Sequence, residues 1–235
     1  MIIDRLIEKI VAMQNPTCVG LDTQLDYLPD EMRAGVTTCD AAADAILTFN
    51  KKIVDSVADI VPAVKVQVAY YEQYGAAGMR AFLDTIAYAR ERGLFVIADC
   101  KRNDIGSTAA RYSAAYLGET ALGGGALSVA GCDFLTVNAY LGTDGVQPFL
   151  DDCKKYDRGL FILVKTSNPS SGELQDLKLA DGRRVYECMG DMVEGWGADL
   201  VGSYGYSAVG AVVGATHPEQ ATILRERLKH TFFLI

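Results

Sequence analysis

Short apolar runs alternate with longer stretches of helical periodicity along almost the whole chain. The runs lie at 17–22 (TCVGLD), 61–67 (VPAVKVQ), 94–101 (LFVIADCK), 133–140 (DFLTVNAY), 159–167 (GLFILVKTS), 208–216 (AVGAVVGAT) and 232–235 (FFLI). Each is continuously hydrophobic, the pattern of parallel strands covered on both faces. Helical patterns fill 40–59, 76–92, 107–117, 144–156, 183–197 and 218–230. The last of these opens on HPEQ, with proline in the first turn and an acid beside it. The first 13 residues, MIIDRLIEKIVAM, read as an amphipathic helix with charges at 4, 5, 8 and 9, not as a signal peptide.

Strand, helix, strand repeated this often means βαβ units, in either a doubly wound sheet or a (β/α)8 TIM barrel. No G-x-G-x-x-G follows the first strand, where a dinucleotide fold carries it, and the glycines at 123–125 lie upstream of a strand instead. Polar residues close nearly every run: Asp22, Lys65 and Gln67, Asp99 and Lys101, Asn138, Lys165 to Ser167, and Thr216. Functional groups at the C-terminal ends of several strands are the habit of a barrel, so the expectation is one barrel domain over residues 1–235. Only seven strands are counted, and FFLI ends the chain on core-like residues. The expectation is therefore that a C-terminal part of the barrel is lacking.

Composition narrows the partners. Of 235 residues half are hydrophobic and 22% charged, with a net charge of −8. That balance argues against a nucleic-acid polymer or an anionic membrane surface, yet leaves room for a small anionic substrate. No run approaches eighteen consecutive apolar residues. Six cysteines (18, 39, 100, 132, 153 and 188) show no C-x-x-C spacing, which suits reduced thiols in a cytoplasmic protein. With two histidines, they make a poor metal-binding set.

The stretch FVIADCKRNDIGST, 95–108, drives an apolar strand into Asp99, Lys101, Arg102 and Asp104. Residues two apart in a strand share a face about 6.6 Å apart, which pairs Asp99 with Lys101 and turns Cys100 and Arg102 away. Asp104 follows on the loop, and Lys65 ends the neighbouring strand. Opposite charges 4 Å apart gain about 4 kcal/mol at an effective dielectric near 20, so such an array holds its groups ionised. It is either a catalytic array or a structural salt-bridge network at the barrel rim.

VIADCKRNDIGST resembles the D-x-K-x-x-D-I-x-x-T signature of the orotidine 5′-phosphate decarboxylase family. CVGLD (18–22), VKVQVAYYEQYG (64–75), TVNAYLGTDG (136–145), VKTSNPSSGELQ (164–175) and GAVVGATHPE (210–219) resemble that family's bacterial long form, in order along the chain. The resemblance implies loss of CO2 from orotidine 5′-monophosphate to give UMP, without metal or cofactor. By the same resemblance Lys101 protonates the vacated carbon, Asp99 faces the substrate carboxylate, and Lys65 orients Asp99 and touches the ribose. Asp104, with Ile105 and Thr108, is implied to reach across a homodimer interface into the partner's site.

Asp22 is implied as a ribose hydroxyl acceptor, though its position also suits a turn cap. Ser167 is implied at the pyrimidine amide edge, though in TSNPSSG it could merely stabilise a proline turn. Gln67 and Asn138 are candidate pocket residues that serve loop backbone just as well. The family's P-G-x-G-x-Q-G phosphate loop and a later arginine are not in the sequence, so phosphate contacts have no assigned residues.

Three rivals remain open. Lys165, at a strand end, suits a Schiff-base aldolase. Metal-dependent sugar-phosphate decarboxylases and synthases share D-x-K-x-x-D, although Ile105 and Thr108 disfavour them. The third is a non-catalytic nucleotide-binding barrel. His217 at a helix start, His230 in a helix's last turn, Trp196 spaced with Met189 and Met192, and Tyr70, Tyr71 and Tyr74 are read as packing, capping or interface residues.

Overall fold

The structure, a computed structural model, describes residues 1–235. Its elements run α1 (Ile2–Met13), β1 (Cys18–Leu21), α2 (Asp30–Arg33), α3 (Cys39–Val57), β2 (Ala63–Gln67), α4 (Ala69–Glu72), α5 (Gly75–Glu91), β3 (Phe95–Arg102) and α6 (Gly106–Tyr116). There follow β4 (Thr120–Leu122), β5 (Gly125–Leu127), β6 (Phe134–Val137), α7 (Thr143–Tyr156), β7 (Gly159–Lys165), α8 (Gly172–Gln175), α9 (Val185–Trp196), β8 (Ser207–Val213), α10 (Pro218–Arg227) and β9 (Thr231–Leu234). All seven apolar runs are strands of one sheet, ordered β1-β2-β3-β6-β7-β8-β9. β1–β2, β2–β3, β7–β8 and β8–β9 pair in parallel. Parallel neighbours need crossovers, and the helices between the strands supply them.

Two local features depart from the sequence reading. The glycines at 123–125 turn a small antiparallel hairpin, β4–β5, with Leu122 opposite Gly125 and Gly123–Gly124 at its tip. Its three-residue strands are too short to show a period, and a two-glycine tip suits a tight hairpin. The last long helix also stops at Arg227, not 230, because Leu228 is extended and Thr231 already pairs with Ser207. His230 therefore lies outside the helix, its ring Nδ1 2.8 Å from the Gly205 carbonyl.

Contacts divide the chain into two compact units. One comprises Leu6–Cys100 and Tyr112–Leu135; the other comprises Met1–Arg5, Lys101–Arg111 and Thr136–Ile235. The divisions fall inside α1, β3, α6 and β6. In the first unit α3 packs on α5, and Ile46, Val54, Val64, Val66, Phe82, Ile86 and Val96 are fully buried. Tyr71 meets Phe82 edge-on with ring centres 5.4 Å apart. Tyr71 thus belongs to the core.

In the second unit α9 and α7 cover β7, α9 also covers β8, and Phe149, Phe161, Ile162, Val209 and Ala211 are buried. Gly210 is dictated by packing here: a Cβ on it would lie 2.7 Å from both the Phe161 ring and the Phe232 carbonyl. Asp4, which the helical pattern puts among the solvated charges, is only 7% exposed and accepts the Tyr204 amide at 3.3 Å. Trp196 donates its indole N–H to Thr143 Oγ1 at 3.1 Å, tying α9 to the start of α7. No helix is long and apolar enough to cross a membrane.

Candidate active site

Three neighbouring parallel strands of the first unit bring polar side chains together toward their C-terminal ends. Gln67 on β2 stands opposite Asp99 on β3, and Gly20 on β1 stands opposite Lys65. Lys65, two residues before Gln67, shares its face. The outcome is a compact cluster. Lys65 Nζ lies 2.8 Å from Asp99 Oδ2 and 3.4 Å from Asp22 Oδ1, while Gln67 Nε2 donates to the same Asp99 oxygen at 2.8 Å.

Asp99 is 5% exposed, so its charge depends on these donors. Burial alone would pull the Lys65 ammonium down. The charge and hydrogen bond of Asp99, then those of Asp22, outweigh burial and leave Lys65 above its ordinary value. Cys18, on the neighbouring strand, has its thiol pushed up to about 12 by burial and by Asp99, against the opposing pull of Lys65. It stays a neutral thiol beside the ion pair.

A buried polar chain supports the turn after β1. Thr23 donates to Asn50 Oδ1 at 2.5 Å, Asn50 Nδ2 donates to the Tyr71 hydroxyl at 2.7 Å, and all three residues are buried. Thr23 follows Asp22 directly, so the chain anchors the segment that carries that carboxylate. Sequence reading missed Asn50. A polar residue on the buried face of a helical pattern was the available signal.

The other candidate residues all belong to the second unit. Lys101 is exposed and has φ +48°, a left-handed conformation that costs a non-glycine residue about 1–2 kcal/mol. Its amide donates to Thr136 Oγ1 at 3.0 Å, and the next residue's carbonyl accepts the Asn138 amide at 3.0 Å. The alternation that pairs Asp99 with Lys101 on one face holds for extended residues only. At Lys101, still inside β3, the extended backbone is broken, and the alternation with it. Strained conformations of this kind concentrate at functional sites.

Asp104 Oδ1 accepts the Ile105 amide at 2.8 Å, and the Ile105 carbonyl accepts the Thr108 amide at 3.0 Å, opening α6. Ile105 is 59% exposed, one of several large apolar side chains on the surface. Asn138 Oδ1 accepts the Tyr140 amide at 3.1 Å, an Asx turn that serves the loop backbone. Ser167 is exposed on the loop after β7, its carbonyl 3.4 Å from Thr216 Oγ1.

Lys165 does not have the setting of a Schiff-base nucleophile. It is 2% exposed, and its Nζ lies 3.1 Å from both Asp176 Oδ1 and Ser171 Oγ. An amine so covered and ion-paired is withheld from a carbonyl substrate. No group of three or more His, Cys, Asp or Glu side chains is placed to hold a metal ion. A cavity of about 290 Å³ walled by Gln147, Asp151, Lys154 and Trp196 belongs to α7 and α9, and none of the strand-end residues lines it.

Comparison with known proteins meets this geometry. The family model described as orotidine 5′-phosphate decarboxylase / HUMPS family matches residues 16–232. Orotidine 5′-phosphate decarboxylase of Rhodopirellula baltica is 45% identical over 221 residues, covering 93% of this chain and 72% of that protein. The Clostridium perfringens protein of the same name is 40% identical over 236 residues, covering 100% of this chain and 77% of its own length. Among solved structures, a putative orotidine-monophosphate-decarboxylase from Toxoplasma gondii superposes with a TM-score of 0.80 at 27% identity, over 97% of this chain and 75% of that one. A putative orotidine 5′-phosphate decarboxylase from Streptomyces avermitilis gives 0.76 at 31% identity, over 93% and 71%. The fold class is that of a (β/α)8 barrel, with seven of its parallel strands in this chain.

Proposed function

This chain belongs to the orotidine 5′-phosphate decarboxylase / HUMPS family, and we propose that its strand-end charges perform the decarboxylation by electrostatics alone. The activity is that of a carboxy-lyase: orotidine 5′-monophosphate loses CO2 and becomes UMP, a step of pyrimidine biosynthesis. The observation that carries the proposal is Asp99, buried yet held by two donors on one oxygen, Lys65 Nζ and Gln67 Nε2.

The chemistry asks for such a site. The bond between the ring carbon and the carboxylate breaks, CO2 leaves, and the electron pair stays on an sp² carbon with no adjacent sink. Preorganised charge is then the main source of stabilisation. In our reading the Lys101 ammonium stabilises that pair and donates its proton to the carbon, recovering a proton from solvent afterwards. Asp99 stands against the substrate carboxylate, and the repulsion is released as CO2 departs. Lys65, pulled between Asp99 and Asp22, fixes Asp99 and leaves Asp22 to accept from the ribose hydroxyls.

Ser167 takes the pyrimidine amide edge, and Gln67 contributes through the Asp99 oxygen it already holds. Asn138 acts through the turn it closes. Asp104 reaches the partner's site in a homodimer, with Ile105 and Thr108 covered by the partner. We place the enzyme in the cytoplasm, where its six free cysteines remain reduced.

The test is the loss of orotidine 5′-monophosphate absorbance with and without EDTA, for the wild type and Lys101→Ala. Wild-type turnover should be unaffected by the chelator. The variant should fold and lose at least about 10³-fold in rate, the scale of removing one preorganised transition-state contact. A near-normal rate in Lys101→Ala refutes its role, and EDTA inhibition would move the chain toward the metal-dependent branch.

A further inference from the structure

We propose that Lys165 is a positioning residue for the decarboxylation: its buried ion pair with Asp176 holds the 166–175 segment so that Ser167 is presented to the pyrimidine. This rests on the reading of Ser167 given above.

The segment is clamped at both ends. Lys165 is the last residue of β7, and its Nζ lies 3.1 Å from Asp176 Oδ1 and 3.1 Å from Ser171 Oγ, so one ammonium grips the middle and the far end of the loop. Asp176 is itself fixed from outside the loop: its Oδ1 accepts Gln220 Nε2 at 3.3 Å and its carbonyl accepts Arg184 Nη1 at 3.1 Å. Within the loop, Gln175 Oε1 accepts the Thr166 amide at 3.0 Å and Gln175 Nε2 donates to Thr166 Oγ1 at 2.8 Å. These bonds bracket Ser167.

β8 closes the remaining side. The Gly214 amide donates to the Lys165 carbonyl at 2.7 Å, and a Cβ on Gly214 would lie 2.8 Å from the Ser167 nitrogen. If fold alone were at stake, an apolar residue of lysine's size would serve as well, since replacing a buried pair by hydrophobic groups is often neutral or stabilising. A lysine that is 2% exposed and spans the loop instead gives it one conformation.

The experiment is a double-mutant cycle on the whole enzyme, measuring kcat and KM for orotidine 5′-monophosphate in Lys165→Met, Ser167→Ala and the double variant, with thermal unfolding beside each. Misplacing a positioning contact by about 1 Å costs up to about 10²-fold in rate. We expect kcat/KM to fall about 10- to 100-fold in each single variant, chiefly through KM. The double variant should be no more than about threefold worse than the poorer single, because the lysine acts through the serine. Effects that multiply, a wild-type kcat/KM in Lys165→Met, or loss of kcat alone at unchanged KM each overturn the proposal. A wild-type kcat/KM in Ser167→Ala beside an impaired Lys165→Met instead overturns the Ser167 reading, and the positioning claim with it. Should Lys165→Met fail to fold, Asp176→Asn enters the same cycle and is read in the same way.

Discussion

Replacing Lys65 by methionine removes the cation at the centre of the strand-end cluster while keeping side-chain length. At 2.8 Å from Asp99 Oδ2, the pair's Coulomb energy at an effective dielectric of 20 is about 6 kcal/mol (332 divided by 20 × 2.8). Desolvation offsets much of that gain. What the variant suffers is the loss of this cation beside Asp99, whose side chain is 7% exposed against 23% for Lys65. Breaking a buried pair from one side costs about 3–5 kcal/mol. Partial exposure of Lys65 and the surviving Gln67 bond reduce this, so we expect a loss of about 2–4 kcal/mol in urea unfolding followed by circular dichroism. Asp22, with a side chain 45% exposed, adds little to this figure.

The pH dependence supplies a second check. Lys65 titrates above its ordinary 10.5 in the folded protein. Its contribution is therefore complete below 10.5, where both states are protonated. It is lost as pH rises past 10.5 through the folded value, where only the folded state still holds the proton. The stability difference between wild type and Lys65→Met should be flat from neutral pH to about 10 and shrink above it. A loss below about 0.5 kcal/mol, typical of an exposed pair, would refute the reading of a buried ion pair. So would a difference that stays constant through the alkaline range.

Three further outcomes are expected. Lys101→Gly should be inactive like Lys101→Ala yet more stable than it by about 1 kcal/mol in urea unfolding, because glycine accepts φ +48° without a Cβ penalty; equal stability would mean the left-handed conformation is not strained. Inactive Lys101→Ala and inactive Asp104→Asn, mixed under subunit exchange, should recover activity if Asp104 serves the partner's site, and no recovery at any ratio would count against shared sites. Gly210→Ala should lower stability by about 1–3 kcal/mol, the range for overpacking, since its Cβ meets the Phe161 ring and the Phe232 carbonyl at 2.7 Å; an unchanged urea midpoint would contradict the packing of β8 against its neighbours.

Much of the fold was legible along the chain, for a local reason. Strands such as Gly159–Lys165 are continuous apolar runs and helices such as Cys39–Val57 carry an apolar face, and both periods are properties of neighbouring residues. The residue types of the site were legible too, because charges ending an apolar strand are costly unless paired. The sequence by itself determined the alternation of strand and helix, the polar strand ends and the family signature.

Tertiary structure decided the rest. Lys65 binds Asp99 and Asp22 because the β1–β2–β3 register sets Lys65 beside Gly20 and Gln67 beside Asp99. Lys101 leaves the pleat because Thr136, thirty-five residues on, accepts its amide. Lys165 is a buried ion pair and not an available amine because Asp176, Gln220 and Arg184 converge on its loop. Whether a charge is a nucleophile, a clamp or a solvated surface group depends on partners far along the chain, and only folding brings those partners within hydrogen-bonding distance.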